Sequence, residues 1–287
     1  MPLLVAPVFN SITTAPVSIA IDDTFHLVSG NEQIYQLSHR YLRNTMNENR
    51  LHFEERVSPT SLFLMADYPH LKVTEERKVI EEVENKLNLA STQGVCSIPY
   101  IITVEGKTYG ISYLKRSIEG DKLVYEGSTK ETFESLIGKT AENTLPRLAY
   151  RRYLLSLEKE SYEDQLLDLW IALESIFVPD GKKGEITYKV RYRMAYYFAQ
   201  SFDERKVISD FIKTSYNHRS EIVHSGKTLG SELKDEVNTL RRMARAALLN
   251  IFTHPVPIQE LKKRLDECVL AGESYLSRYP QPFFESV

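Results

Sequence analysis

The chain lacks several residue patterns that mark common classes of protein. Only two of its 287 residues are cysteines, Cys96 and Cys268. Neither has another Cys or a His at ligand spacing, which argues against a zinc site or a disulfide framework. No run of about 18 apolar residues occurs, so we expect no membrane span. The first half shows no Gly-rich phosphate loop and no nucleophile motif. We therefore expect no metal and no cofactor, and a reducing cytoplasm fits best.

An excess of charge of one sign is lacking as well. Lys and Arg number 36 against 39 Asp and Glu, for a net charge of -3. Such a chain is not a polycation that coats nucleic acid, so any contact with RNA has to be local. Apolar residues make up 42% and charged residues 26%, which is typical of a folded globular protein. Residues Met1 to Ala20 have no basic start and contain three prolines, so we expect an extended strand there and no signal peptide.

The length favours two domains, and the pattern changes character near residue 140. We predict that residues 1–140 form an α+β domain of unknown role. Helices are expected over Asn31 to Asn49 and Glu75 to Leu89 from their mild helical periodicity. The segment from Ile98 to Tyr125 is rich in β-forming residues interrupted by short turns, which predicts a small antiparallel meander.

Residues 141–287 predict a helical domain, because apolar residues recur there at intervals of three and four. One stripe runs from Leu166 to Phe177, and others begin near Val190, Val207, Leu233 and Leu261. With the helix that carries Leu148 and Leu154, this makes about six helices joined by short loops. The fold class we predict is mainly α, with a C-terminal up-and-down bundle after the smaller α+β domain.

One segment of this domain combines residues that can act on phosphate. Residues 216–226 read YNHRSEIVHSG and hold Arg219 and His224 in the arrangement R-x-x-x-x-H. Together with the helix LWIALESIF (residues 169–177) and the segment YKVRYRMA (residues 188–195), this segment resembles an Apea-like HEPN domain. The resemblance covers roughly the last half of the chain.

The resemblance implies a metal-independent endoribonuclease that works as a homodimer. It assigns Arg219 and His224 to the functional centre, and Glu174 to an acidic position that orients the basic pair. Ser220 replaces the Asn or other polar residue that often follows the arginine. Such enzymes commonly serve in toxin or antiphage defence, which implies an antitoxin or a regulatory protein as a further partner.

The chemistry also follows from the residue types. RNA supplies its own nucleophile, the 2′-hydroxyl. Histidine titrates near neutral pH and can act as base or acid, and arginine holds phosphate oxygens with two parallel donors. Positions five apart lie ~140° around a helix. Arg219 and His224 therefore meet on one phosphate only if the helix ends between them or two copies share the site, and the shared site is our preferred hypothesis.

The remaining RNA contacts are predicted from charge and position. The basic cluster that precedes the motif by one helix is a candidate contact with the RNA backbone; its members are Lys182, Lys183, Lys189, Arg191 and Arg193. Tyr216 and Ser220 flank the arginine as further candidates.

Structural alternatives stay open for each of these groups. Glu174 is equally well explained by a pair with Arg193 or Arg219 inside the bundle. Trp170 and Tyr216 fall on or beside an apolar stripe, as core residues do, and the basic cluster resembles a solvated face. We predict that His218 is a surface residue. A non-catalytic HEPN module that dimerises and binds RNA, nucleotide or protein is the alternative function.

Overall fold

The structure is a computed structural model that describes residues 3–42, 53–67, 73–115, 118, 120–139, 146–179 and 186–280. The chain divides into two compact units, Met1–Lys139 and Thr140–Val287. Each unit buries its own set of apolar side chains. Across the described ranges, no helix is both long enough and apolar enough to cross a membrane.

The first unit is built on an antiparallel sheet. Its described strands are β1 (Leu3–Pro7), β2 (Ser11–Ile12), β3 (Ser18–Ala20), β4 (Phe25–Ser29), β5 (Leu62–Asp67), β6 (Tyr100–Glu105), β7 (Thr108–Tyr113) and β8 (Leu123–Val124). Its helices are α1 (Glu32–Leu42), α2 (Val73–Ala90) and α3 (Gly127–Leu136). Six strands form one sheet in the order β3-β4-β5-β1-β6-β7, while β2 and β8 pair separately.

Strand β1 lies at the centre of the large sheet because its apolar run suits a strand that is covered on both faces. Val5 pairs with Met65 on one side and Ile102 on the other, and its side chain is fully buried. Phe9 packs edge-on against Tyr100, with ring centroids 5.2 Å apart. These contacts form the core of the first unit.

One prediction for this unit is wrong, and one helix was not predicted. Strands β6 and β7 form an antiparallel hairpin, but β8 pairs in parallel with β2, so the prediction of an antiparallel meander over Ile98 to Tyr125 is wrong for β8. Helix α3 was not predicted, because two of its four buried residues are threonines, Thr129 and Thr132, which obscure the apolar periodicity. Helix α1 is described to Leu42, and residues 43–49 of the predicted helix lie outside the described residues.

The second unit is helical over its described residues. Its helices are α4 (Arg147–Leu157), α5 (Tyr162–Phe177), α6 (Ile186–Phe198), α7 (Phe202–Ser225), α8 (Lys234–Thr253), α9 (Ile258–Ala271) and α10 (Tyr275–Arg278), with a 3-10 turn over Gly230–Leu233. Helix α4 packs along α5, α6 packs along α7, and α8 lies against α4 and α5. A mainly helical chain with a sheet-containing first part is therefore confirmed, and the six apolar stripes correspond to α4 through α9.

Candidate functional site on the long helix

A single uninterrupted helix carries the predicted motif. Helix α7 starts after Ser201, whose hydroxyl accepts from the Glu204 N–H (3.2 Å) while the Glu204 carboxylate accepts from the Ser201 N–H (2.9 Å). This reciprocal pair satisfies free amides at the helix start. The helix ends at Gly226, which has a φ of 64°. Glycine adopts this left-handed conformation without strain. Arg219 and His224 thus share one continuous helix, and the alternative in which the helix ends between them is wrong.

Arg219 lies beside Glu174 of α5. Its Nη2 atom is 3.7 Å from Glu174 Oε1, and each side chain is 24% exposed. Arg193 and Arg219 were the two predicted ion-pair partners of Glu174, and the structure has Arg219 beside it. The separation is long for a hydrogen bond. Among the described residues, the Arg219 Nε atom and the Glu174 Oε1 atom are buried without a hydrogen-bond partner. The carboxylate orients the guanidinium but leaves donor capacity unused.

Two aromatic residues, Tyr216 and Trp170, pack beneath Arg219. The Arg219 guanidinium lies over the Tyr216 ring, 5.4 Å from its centroid. Tyr216 in turn meets the buried Trp170 edge-on at 5.1 Å, and the Trp170 indole N–H donates to the Ser215 hydroxyl at 3.0 Å. Burial raises the pKa of the Tyr216 phenol, and the Glu174 carboxylate beside it raises that pKa further, whereas Arg219 lowers it. Trp170 is a core residue, whereas Tyr216 is half-buried.

His224 lies on a different side of α7. It is exposed in the last turn of the helix, ~140° around the axis and ~7.5 Å along it from Arg219. Among the described residues, no side chain forms a hydrogen bond or an ion pair with the His224 ring. Ser220 is half-buried between the two. Within one chain, therefore, the imidazole and the guanidinium do not converge on a common point.

His218 is placed differently from the sequence prediction. Its Nδ1 atom is 2.7 Å from Glu236 Oε2, in the first turn of α8. The Glu236 side chain is only 12% exposed, so this is a half-buried histidine held by a carboxylate and not a free surface residue. No spacing rule links residues 218 and 236, because the pair forms across two helices.

The predicted basic cluster separates into residues with different surroundings. Arg193 is buried: its Nε donates to Asp266 Oδ1 at 2.8 Å, and its Nη1 donates to the Phe177 carbonyl at 2.7 Å. Because these partners occupy the guanidinium, the geometry does not support an RNA contact by Arg193. Arg191 donates to the Ser209 hydroxyl at 3.1 Å, and Lys189 is half-buried.

Two members of the cluster, Lys182 and Lys183, lie outside the described residues. Within the described ranges, no group of three or more His, Cys, Asp or Glu side chains is placed to hold a metal ion.

Comparison of the chain with protein-family models, with curated protein sequences and with solved structures finds no match. The HEPN assignment therefore stays a prediction from the motif residues in the sequence.

Proposed function

We propose that the chain is a metal-independent endoribonuclease of the HEPN type that acts as a homodimer. One observation carries the proposal. Arg219 lies 3.7 Å from Glu174, and its side chain stays 24% exposed. His224 is exposed on the same helix with its ring nitrogens unused by described side chains. A phosphate group and a hydroxyl proton are the partners that such groups take.

In the proposed reaction, the RNA 2′-hydroxyl oxygen attacks the adjacent phosphorus while one His224 imidazole accepts the hydroxyl proton. The bond from phosphorus to the 5′ oxygen breaks, and that oxygen takes a proton from a second, protonated imidazole. Arg219 stabilises the negative charge that develops on the phosphorus-bound oxygens. The products are a 2′,3′-cyclic phosphate and a 5′-hydroxyl, and no metal takes part.

A dimer follows from the angular separation of the two residues. Since Arg219 and His224 lie ~140° apart around α7, one chain cannot direct both at the same phosphate. An isologous contact between two copies of α7 would place the imidazole of one copy beside the guanidinium of the other. In this arrangement the two copies share one cleft, in which one His224 imidazole acts as the base and the other as the acid.

The test is cleavage of a mixed RNA pool by the purified full-length protein in EDTA. Wild type should yield new cyclic phosphate ends, and Arg219→Ala and His224→Ala should each lower the rate by about 100-fold or more. His254→Ala is the matched control, because His254 is also an exposed histidine at the end of a helix.

Stability measurements make the result interpretable. His224 has no described side-chain partner, so His224→Ala should change the free energy of unfolding by less than about 0.5 kcal/mol. A folded wild-type dimer that leaves every RNA intact, or His224→Ala protein that cuts at the wild-type rate, would contradict the proposal.

A non-catalytic HEPN module is the second candidate, and the same ion pair is the observation in its favour. Arg219 contacts both Glu174 and Tyr216, which is also what a structural arginine does. This candidate predicts RNA or nucleotide binding without new ends in the EDTA assay, and binding that Arg219→Ala weakens.

We extend the first proposal to its biological setting, toxin or antiphage defence in a cytoplasm, with an antitoxin or regulatory protein as partner. Expression of the wild type should then slow bacterial growth, and expression of His224→Ala should not. Equal growth of both strains at equal protein levels would count against this setting.

A further inference from the structure

Helix α6 exposes tyrosines on the side that faces away from the core. Tyr188, Tyr192 and Tyr196 follow one another at intervals of four residues and so lie along one face. Tyr188 is 54% exposed, and the other two are half-buried. The Tyr188 and Tyr192 rings contact each other, with centroids 4.3 Å apart. We call these three residues the tyrosine face.

The tyrosine face is not needed to bury the helix. The opposite side of α6 supplies the buried apolar contacts, through Val190, Met194 and Tyr197. The outer side of such an amphipathic helix is ordinarily polar or charged. Three neighbouring aromatic rings there expose planar surface at which another molecule can stack.

Two cations lie beside the tyrosine face, Lys189 and Arg205. Arg193 of the same helix is buried and bonded to Asp266, so it takes no part in this face. Lys189 follows Tyr188 directly, and the Arg205 guanidinium of α7 lies over the Tyr196 ring at 4.7 Å from its centroid. The acidic neighbour Glu204 is engaged by the N–H groups of Gln200 and Ser201 at the helix start. A partner of this face is therefore expected to be anionic.

We propose that the tyrosine face binds single-stranded nucleic acid, with bases stacked on Tyr188 and Tyr192 and phosphates held by Lys189 and Arg205. Aromatic rings beside cations are the combination with which proteins hold single strands of any sequence. The three tyrosines span ~12 Å along the helix, which is long enough for a short run of bases.

The tyrosine face begins next to the candidate site. Thr187, one residue before Tyr188, interacts with the Tyr216 phenol, and Tyr216 lies under Arg219. The inference deepens the proposed ribonuclease function, on which it rests for the identity of the strand as RNA. Tyr188 and Tyr192 add stacking surface to the predicted RNA contacts, whereas the half-buried Tyr216 lies under the Arg219 guanidinium.

Binding is measured with an uncleavable ligand, so that it is independent of catalysis. A fluorescent 2′-O-methyl RNA of about 12 nucleotides has no free 2′-hydroxyl, and anisotropy in EDTA gives its Kd with the full-length protein. Tyr188→Ala should weaken binding about fivefold or more, and Tyr188→Ala with Tyr192→Ala should weaken it further. Tyr188→Phe should bind like wild type, since the ring is retained. Lys189→Ala should reduce the slope of log K for RNA binding, plotted against the logarithm of the salt concentration, by about one.

Tyr113→Ala is the matched control, because Tyr113 lies in the first unit and is also 54% exposed. Equal loss of affinity in the Tyr188→Ala and Tyr113→Ala proteins would overturn the inference, as would a wild type that binds no oligonucleotide at low salt. A changed oligomeric state with unchanged affinity would identify the face as a protein interface and also overturn it. Tight binding of the uncleavable strand by a protein that cuts no RNA would uphold the inference and reject the ribonuclease.

Discussion

Two arginines of the second unit have opposite surroundings, although the sequence marks both as candidates for RNA contact or catalysis. Arg193 is 4% exposed and bonds Asp266 and the Phe177 carbonyl. Arg219 is 24% exposed and has only a loose carboxylate partner. A guanidinium whose donors are satisfied by the protein stabilises the fold, while a partly exposed one with a loosely held partner can bind a ligand.

This contrast predicts different effects of substitution. Arg193→Met keeps the side-chain length but leaves the Phe177 carbonyl without its donor, so we expect a loss of about 1 to 3 kcal/mol in the free energy of unfolding. Urea unfolding followed by Trp170 fluorescence measures the loss. Arg191→Met removes a half-exposed contact to Ser209 and serves as the control, with an expected cost below about 1 kcal/mol. An Arg193→Met protein as stable as wild type would contradict the structural role.

At the scale of elements, the start of α5 is joined to the chain segment that follows α7. The Glu163 Oε1 atom accepts from the Gly230 N–H at 2.7 Å and the Leu229 N–H at 2.8 Å. These donors, with the one from Gly230 largest, lower the pKa of the Glu163 carboxyl below its usual value. Because the pKa of the Glu163 carboxyl is lower in the folded protein than in the unfolded chain, the ionised carboxylate stabilises the folded state. This stabilisation is fully present above the unfolded-state pKa and is lost as the pH falls through the folded-state pKa.

We therefore predict that Glu163→Gln destabilises the protein by about 1 kcal/mol at neutral pH. The difference from wild type should shrink as the pH falls through the lowered pKa of the folded Glu163 carboxyl. Urea midpoints measured from pH 7 down to pH 3 test this. Glu160→Gln, at an exposed neighbouring position, should show no such pH dependence. A Glu163→Gln difference that stays constant over this range would refute the explanation.

The elements also show where sequence patterns succeed. Helices α4 to α9 were predicted because large apolar residues recur at helical spacing, which is a local property of the chain. Helix α3 was missed because threonines occupy part of its buried face. The β8 pairing was predicted wrongly because a strand's partner is selected by packing between distant segments, here residues 11–12 and 123–124.

At the scale of the whole molecule, each compact unit has its own core, and the single tryptophan, Trp170, belongs to the second. Its fluorescence should report the unfolding of that unit alone, whereas far-UV circular dichroism reports both. Ile102 is fully buried in the sheet of the first unit, and Ile102→Val should cost about 1 kcal/mol there.

If the units unfold independently, Ile102→Val shifts part of the circular dichroism transition and leaves the Trp170 transition in place. Urea titrations of wild type and Ile102→Val, each followed by Trp170 fluorescence and by far-UV circular dichroism, provide the measurement. A common shift of both transitions would instead show that the units unfold as one cooperative system.

The sequence by itself determined the helical second half, the sheet-forming first half and the motif containing Arg219 and His224, because periodicity and residue type are readable along the chain. Only the tertiary structure decided which carboxylate faces each cation. Glu174 lies beside Arg219, Asp266 beside Arg193 and Glu236 beside His218, since these pairs join helices that are distant in sequence. It also decided that α7 continues through the motif, which separates Arg219 from His224 by angle around the helix.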